Sequence, residues 1–352
     1  MQPFAFFLGS GRSGTTLIRE IFNAHPAMAI PEETHFVPML ARKRRLYEAS
    51  DGFHATRFVR DLRRFEQFEE MGLSEGAVKA AVREATDLPS AIRALYGLYA
   101  SEQGKTRYGD KTPRYCLDMP MLATLFPEAR FVHVIRDGRD VALSVKGVFF
   151  GPDTIGGAAL YWRNRALATR RSGEYMDPSM YFEYRHEDLL EDPEAVVREI
   201  CDFLDLPFDP EMLRYHENKA PRSESHHPHA HKPPTKGLRN FRNELSAEDL
   251  RLVELLIGDA LEELGYELAT DERTVDQETE RKLRAEVKKI VRAHNNWEAD
   301  GFSMVNVPAK RPPSMRRSFR LGLIPMRDMI EIEEVSDADP ANDQADAASL
   351  AE

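Results

Sequence analysis

Cysteine is scarce: Cys116 and Cys201 are the only two in 352 residues. That excludes a disulfide framework and a cysteine-rich zinc site, and it reads as two reduced core thiols. Long apolar runs are missing too. Nothing reaches the ~18 consecutive apolar residues of a membrane helix. The run Phe4–Leu8 is too short for a signal-peptide core and has no basic region before it. The expectation is therefore a cytoplasmic chain with no membrane span, starting almost directly on its first strand. Aromatics are nearly absent from the basic stretch Lys310–Arg327, where only Phe319 interrupts Lys310, Arg311, Arg316, Arg317 and Arg320. Nucleic-acid binding by stacking is not expected there. Bases are missing from residues 331–352, which hold eight acids, so the net charge of −11 leaves −3 for residues 1–330. A basic segment before an acidic tail suggests self-pairing or mobile ends.

What is present points to an α/β domain. Apolar runs at Phe4–Leu8, Met28–Ile30, Thr106–Tyr108, Arg130–Ile135 and Met180–Tyr184 read as strands. Helical periodicity separates them, at Met119–Leu125, Gly138–Gly147, Gly157–Ser172, Pro193–Leu204 and Ala247–Leu264. This alternation predicts a mainly parallel central sheet with a site beyond the strands' carboxyl ends. Residues 38–104 carry no convincing strand and three helical patterns, which predicts a helical lid or wall. The domain is expected to span 1–270, followed by a helical and basic extension over 271–330 and an acidic tail over 331–352. The apolar stripe Val275, Thr279, Leu283, Val287, Ile290 and Val291 should pack across the domain or a partner, a second copy included.

Two segments carry the chemistry. Gly9-Ser10-Gly11-Arg12-Ser13-Gly14-Thr15-Thr16 joins the first strand to a helix striped by Leu17, Ile18, Ile21 and Phe22. A glycine-rich turn at a helix N-terminus aims backbone N–H groups and dipole charge at an anion. The spacing matches the phosphate loop G-x-x-x-x-G-K-[ST], but Thr15 stands where the lysine would reach a β/γ-phosphate. The second segment runs Ile135-Arg136-Asp137-Gly138-Arg139-Asp140 and on to Ser144, again strand, charged turn and helix. Two anion sites on two strand ends imply a ligand with two separated phosphates.

This pairing resembles the signature of sulfotransferases that use 3′-phosphoadenosine 5′-phosphosulfate (PAPS). Tyr184-Arg-His-Glu-Asp-Leu-Leu-Glu-Asp-Pro193 and, more loosely, Lys236-Gly237 with Asn240-Phe241 continue the likeness. Arg12-Ser-Gly-Thr-Thr-Leu, Ala24-His25-Pro26 and Pro31-Glu32-Glu33-Thr34 resemble the tyrosylprotein sulfotransferases in particular. The resemblance implies a phosphate-loop-like sandwich. It implies a 5′-phosphosulfate held by Gly11, Arg12, Ser13, Gly14, Thr15 and Thr16. It further implies a 3′-phosphate held by Arg136 and Ser144, with Tyr184 and Lys236 as further nucleotide contacts. The implied catalytic residues are Glu33 as base, with Lys111 and Arg12 stabilising the leaving group.

The chemistry of the residues agrees. Sulfuryl transfer needs a positioned hydroxyl, a proton acceptor and charge stabilisation at the bridging oxygen, and it does not require magnesium. Glu32 and Glu33 are neighbours on extended chain, so one can face the site while the other makes an ion pair. His35 is a further candidate base. His25 reads as a turn or capping group and His133 as a core histidine. The cluster His226, His227, His229 and His231 lacks metal-ligand spacing, so no metal is expected. A small-molecule kinase and a non-catalytic nucleotide-binding protein are the alternatives. The acceptor carries a hydroxyl (a peptide tyrosine, a sugar, a lipid or a phenol), and the sequence does not choose among them.

Overall fold

The computed structural model describes residues 2–148, 150–217, 240–270 and Ala285. Its elements run β1 (Ala5–Gly9), α1 (Thr15–Ala24), β2 (Met28–Ala29), α2 (Phe36–Ala41), β3 (Glu48–Ala49) and β4 (Gly52–Phe53). Next come α3 (Ala55–Leu62), α4 (Glu66–Glu70), α5 (Glu75–Ala81), α6 (Leu88–Glu102), β5 (Arg107–Asp110), α7 (Met119–Leu125) and β6 (Arg130–Ile135). The last are α8 (Gly138–Val145), α9 (Ile155–Glu174), β7 (Tyr181–Arg185), α10 (His186–Glu191), α11 (Pro193–Phe203), α12 (Phe241–Glu244) and α13 (Ala247–Glu263).

Strand β1 is the hub. It is wholly buried and apolar on both faces, as a central parallel strand must be. The five-stranded sheet has the order β2-β5-β1-β6-β7, and every pair in it is parallel. Register runs from Ala5↔Arg130 to Gly9↔Val134 and from Phe131↔Tyr181 to Ile135↔Arg185. Because the strands are parallel and in this register, the residues just past β1, β5, β6 and β7 share one edge of the sheet. Those residues are the Ser10–Gly14 loop, Lys111, Arg136 and His186.

Side-chain alternation splits the core along the sheet. Phe4, Phe6 and Leu8 join the cluster built with α6 and α7, while Ala5 and Phe7 join the one built with α1 and α11. A third cluster packs Ile135 with α8, α9 and α13.

Residues 38–104 form a wall rather than a free lid. Leu88, Ile92, Leu95 and Tyr96 of α6 are fully buried, and Tyr96 meets Phe4 edge-on at 4.9 Å. Helix α6 starts on a reciprocal cap between Asp87 and Ser90, with Pro89 in its first turn. The insertion also holds a small antiparallel hairpin, β3–β4, where no strand was expected. Two residues per strand are too short for period-two patterning to register. The expected helical extension over 271–330 and acidic tail over 331–352 lie outside the described residues, Ala285 apart, as does Lys236.

Candidate active site

The first loop has the geometry its sequence implies. Gly14 sits at φ +99, and a Cβ there would lie 2.4 Å from His186 Nδ1. Only glycine satisfies both the left-handed backbone and that approach. Arg12 also adopts positive φ, at 72, without being glycine. Such strain persists where surrounding structure over-determines it, commonly at ligand clamps. Ser13 is 1% exposed, and its hydroxyl oxygen is buried without a hydrogen-bond partner. An orphaned hydroxyl at the N-terminus of α1, beside Thr15 and Thr16, fits an anionic group in that cradle.

The two anion motifs meet directly. Arg12 Nε donates to Ser144 Oγ at 3.0 Å, and Arg136 Nη1 donates to the Arg12 carbonyl at 3.3 Å. Arg136 leaves β6 at its carboxyl end, and its own carbonyl accepts from Trp162 Nε1 at 3.0 Å. Gly138 is required here because Trp162 packs where its Cβ would stand, 2.4 Å away. Asp137 caps α8 by accepting from the Arg139 amide at 2.9 Å.

Arg139 is a structural member of this motif. It is 2% exposed, pairs with Asp137 at 2.7 Å and Glu254 at 2.5 Å, and stacks 3.9 Å over the Phe241 ring. Glu254 in turn accepts from the Ala269 and Thr270 amides. The network ties the second anion turn to α13 and the residues after it.

The segment after β2 supplies two carboxylates near the loops. Its alternation is as expected. Glu32 pairs with Arg19 of α1, a residue 3% exposed that also holds Glu20 at 2.7 Å. Glu33 turns the other way and receives Lys111 Nζ at 2.7 Å, with His35 Nε2 3.3 Å from its second oxygen. Burial opposes the charge on Glu33, but Lys111 and His35 outweigh it and hold its carboxyl well below the ordinary carboxylate range. Its side chain remains 33% exposed, whereas that of Lys111 is 2% exposed. His35 has left-handed backbone, φ 54, at the start of α2. Beneath the ion pair lies a buried polar cluster of Thr34, Tyr96, Asp110, Thr112 and Tyr115.

His25 and His133 fall where expected. His25 Nδ1 accepts from the Ala27 amide at 3.0 Å, and Nε2 donates to the Pro207 carbonyl at 2.8 Å, so it closes a turn. His133 is buried in β6 beside the Tyr181 hydroxyl at 2.8 Å, and burial pushes its pKa down to about 3. His226, His227, His229 and His231 lie outside the described residues. Among the described residues, no group of three His, Cys, Asp or Glu side chains is arranged to hold a metal ion.

Tyr184 lies in the core cluster with Phe7 and Ile18, and its buried hydroxyl has no hydrogen-bond partner among the described residues. The side chain that β7 delivers to the first loop is His186, two residues on. Burial, reinforced by the Arg136 charge, pushes its pKa down to about 3, so it is neutral against Gly14. Its signal in the sequence was position: it follows a strand end, as Lys111 and Arg136 do. Trp162 was also not foreseen. Its role comes from packing between α9 and the second anion turn, which no local pattern encodes.

Comparison with known proteins agrees with this geometry. A family model described as Sulfotransferase family matches residues 3–210. Protein-tyrosine sulfotransferase A of Caenorhabditis elegans is 26% identical over 231 residues, covering 61% of this chain and 53% of that protein. Protein-tyrosine sulfotransferase 1 of Danio rerio is 28% identical over 226 residues, covering 61% and 57%. The chain thus spans about half the length of these curated relatives. Among solved structures, the sulfotransferase domain from the Synechococcus PCC 7002 olefin synthase superposes with a TM-score of 0.51 at 25% identity, covering 72% of this chain and 94% of that domain. The matched region takes in both anion turns, Glu33 and Lys111, and more than half the residues: the chain belongs to the Sulfotransferase family.

Proposed function

We propose that the chain is a PAPS-dependent sulfotransferase that moves the sulfuryl group to an acceptor hydroxyl by in-line displacement. The observation that carries this reading is the direct contact of the two anion motifs, through Arg12 with Ser144 and Arg136 with Arg12, around an orphaned Ser13 hydroxyl. The amides and hydroxyls of residues 11–16 hold the 5′-phosphosulfate. Arg136 and Ser144 hold the 3′-phosphate. The acceptor oxygen attacks sulfur, the bond from sulfur to the bridging oxygen breaks, and adenosine 3′,5′-bisphosphate leaves with the electron pair. Glu33 takes the hydroxyl proton, while Lys111 and Arg12 stabilise charge on the departing phosphate.

A carboxylate held below its usual range is a weak base in the resting site. Its pairing with Lys111 is the cause, so any shift of the ammonium toward the leaving group strengthens the base as charge develops. The curated relatives are named for protein tyrosine, and a tyrosine hydroxyl is the acceptor this reading favours.

The test is binding of adenosine 3′,5′-bisphosphate against ATP. Preference for the bisphosphate, with sulfate transfer from labelled PAPS that survives a chelator, supports the reading. Preference for ATP, or activity lost in chelator and restored by magnesium, points to a kinase instead. Tight bisphosphate binding without transfer to any acceptor leaves a nucleotide-binding protein.

A further inference from the structure

Residues 33 and 111 are each flanked by a residue of the buried cluster below them. Thr34 follows Glu33, and Asp110 precedes Lys111. The Thr34 hydroxyl donates to Asp110 Oδ2 at 2.7 Å, directly under the 2.7 Å contact of Lys111 with Glu33. Two parallel rungs thus join the two segments, one at the site and one in the core.

The lower rung is heavily supported. The Tyr96 hydroxyl donates to the same Asp110 oxygen at 2.6 Å. The Tyr115 hydroxyl lies 2.8 Å from Thr34 Oγ1 and accepts from the Val37 amide at 3.0 Å. The Thr34 amide donates to Thr112 Oγ1 at 3.0 Å. Thr34, Asp110 and Tyr96 are each 0% exposed. A carboxylate buried among hydroxyls, with its other oxygen unpartnered, costs stability. An apolar pair of the same volume would fill this space more cheaply, which suggests a purpose beyond folding.

We propose that Thr34, Asp110 and Tyr96 are positioning residues that fix Glu33 and Lys111 relative to each other, so that helix α6 of the insertion belongs to the catalytic apparatus. The inference rests on the sulfuryl-transfer reading above. It assigns the insertion a second task, because Tyr96 reaches the reacting groups through the core rather than through the acceptor. Placement matters at this scale: an error near 1 Å in a reacting group costs on the order of a hundredfold in rate.

The test compares Thr34→Val, Thr34→Ser and Tyr96→Phe, each alone and in a Glu33→Gln background. Turnover is read as adenosine 3′,5′-bisphosphate release from PAPS with 4-nitrophenol as acceptor. Binding of the bisphosphate is measured by calorimetry and folding by thermal melting. Thr34→Val should lower kcat roughly tenfold or more, with bisphosphate affinity within about twofold, and Thr34→Ser should restore most of the loss. Tyr96→Phe should lower kcat in the same direction. In the Glu33→Gln background Thr34→Val should cost clearly less than in the wild type, because the part of its effect that passes through Glu33 is gone and only the part through Lys111 remains. A folded Thr34→Val variant with normal kcat overturns the proposal. So does an undiminished loss in the Glu33→Gln background, or a parallel loss of nucleotide affinity. Absence of turnover in the wild-type chain, with 4-nitrophenol and with a tyrosyl peptide alike, overturns the functional reading itself.

Discussion

At the scale of single residues, the informative contrast is between Glu32 and Glu33. They are chemically identical neighbours, yet one is bound by a buried arginine from α1 and the other by a buried lysine beyond β5. Extended backbone makes that division of labour, and the sequence revealed it once a strand was placed before them. Glu33→Gln keeps the shape and removes the proton acceptor. It should lower kcat by about 10²–10⁴-fold while bisphosphate affinity changes little. Glu32→Gln should leave a much larger share of turnover. Steady-state rates on both variants check the assignment, and near-normal turnover for Glu33→Gln would defeat it.

Arg136 gives a second residue-scale expectation. Arg136→Ala should cost about 1.5–3 kcal/mol in binding adenosine 3′,5′-bisphosphate. It should leave binding of the analogue without a 3′-phosphate almost unchanged. Calorimetry with the two ligands separates the outcomes, and equal loss for both would remove Arg136 from the 3′-phosphate.

At the scale of elements, the sheet was legible and the packing was not. The five strands fell where the apolar runs placed them, because the central strands β1 and β6 are buried and largely apolar and all five are bounded by turn chemistry. Helices α7, α9, α11 and α13 followed their periodicity to within two residues at either end. The insertion was legible as a helical lid or wall, but not which of the two, since that depends on Tyr96 reaching Asp110, a contact between α6 and β5. His186 escaped for the same reason. Its approach to Gly14 is set by register between β6 and β7 and by the turn after β1, which no local window contains.

That approach makes a prediction at this scale. Gly14→Ala places a methyl group on His186 and forces alanine to φ +99. The backbone strain alone costs about 1–3 kcal/mol. The variant should lose donor affinity sharply, and adding His186→Ala should recover only part of it, because the overlap is relieved and the strain is not. Full recovery in the double variant would mean that backbone conformation at Gly14 does not limit binding.

At the scale of the whole molecule, the buried histidines contribute to the response to acid. Burial pushes both His133 and His186 down to about 3, against an ordinary value near 6.5. The folded protein keeps them neutral, whereas the unfolded chain takes up protons as pH falls below about 6.5. At these two sites the unfolded state therefore binds more protons throughout the window from about 6.5 to about 3, and the stability they contribute falls as pH falls through it. Each pH unit below about 6.5 is worth up to about 1.4 kcal/mol per histidine, so the two together can remove several kcal/mol by pH 4.5. Glu33 adds to the same trend lower down. Its depressed carboxyl contributes stability above its unfolded value, near 4.3, which is lost as pH drops below that. Thermal melts across pH 4–8 should show midpoints falling from pH 6.5 downward, well before carboxylates titrate. His133→Asn retains an amide donor for the Tyr181 hydroxyl and removes one titrating ring, so its midpoint should fall less steeply between pH 6.5 and 4.5. A variant with the wild-type slope would show that His133 does not carry the acid sensitivity, and would leave His186, against the phosphate loop, and His25, which burial also pushes down, as its sources.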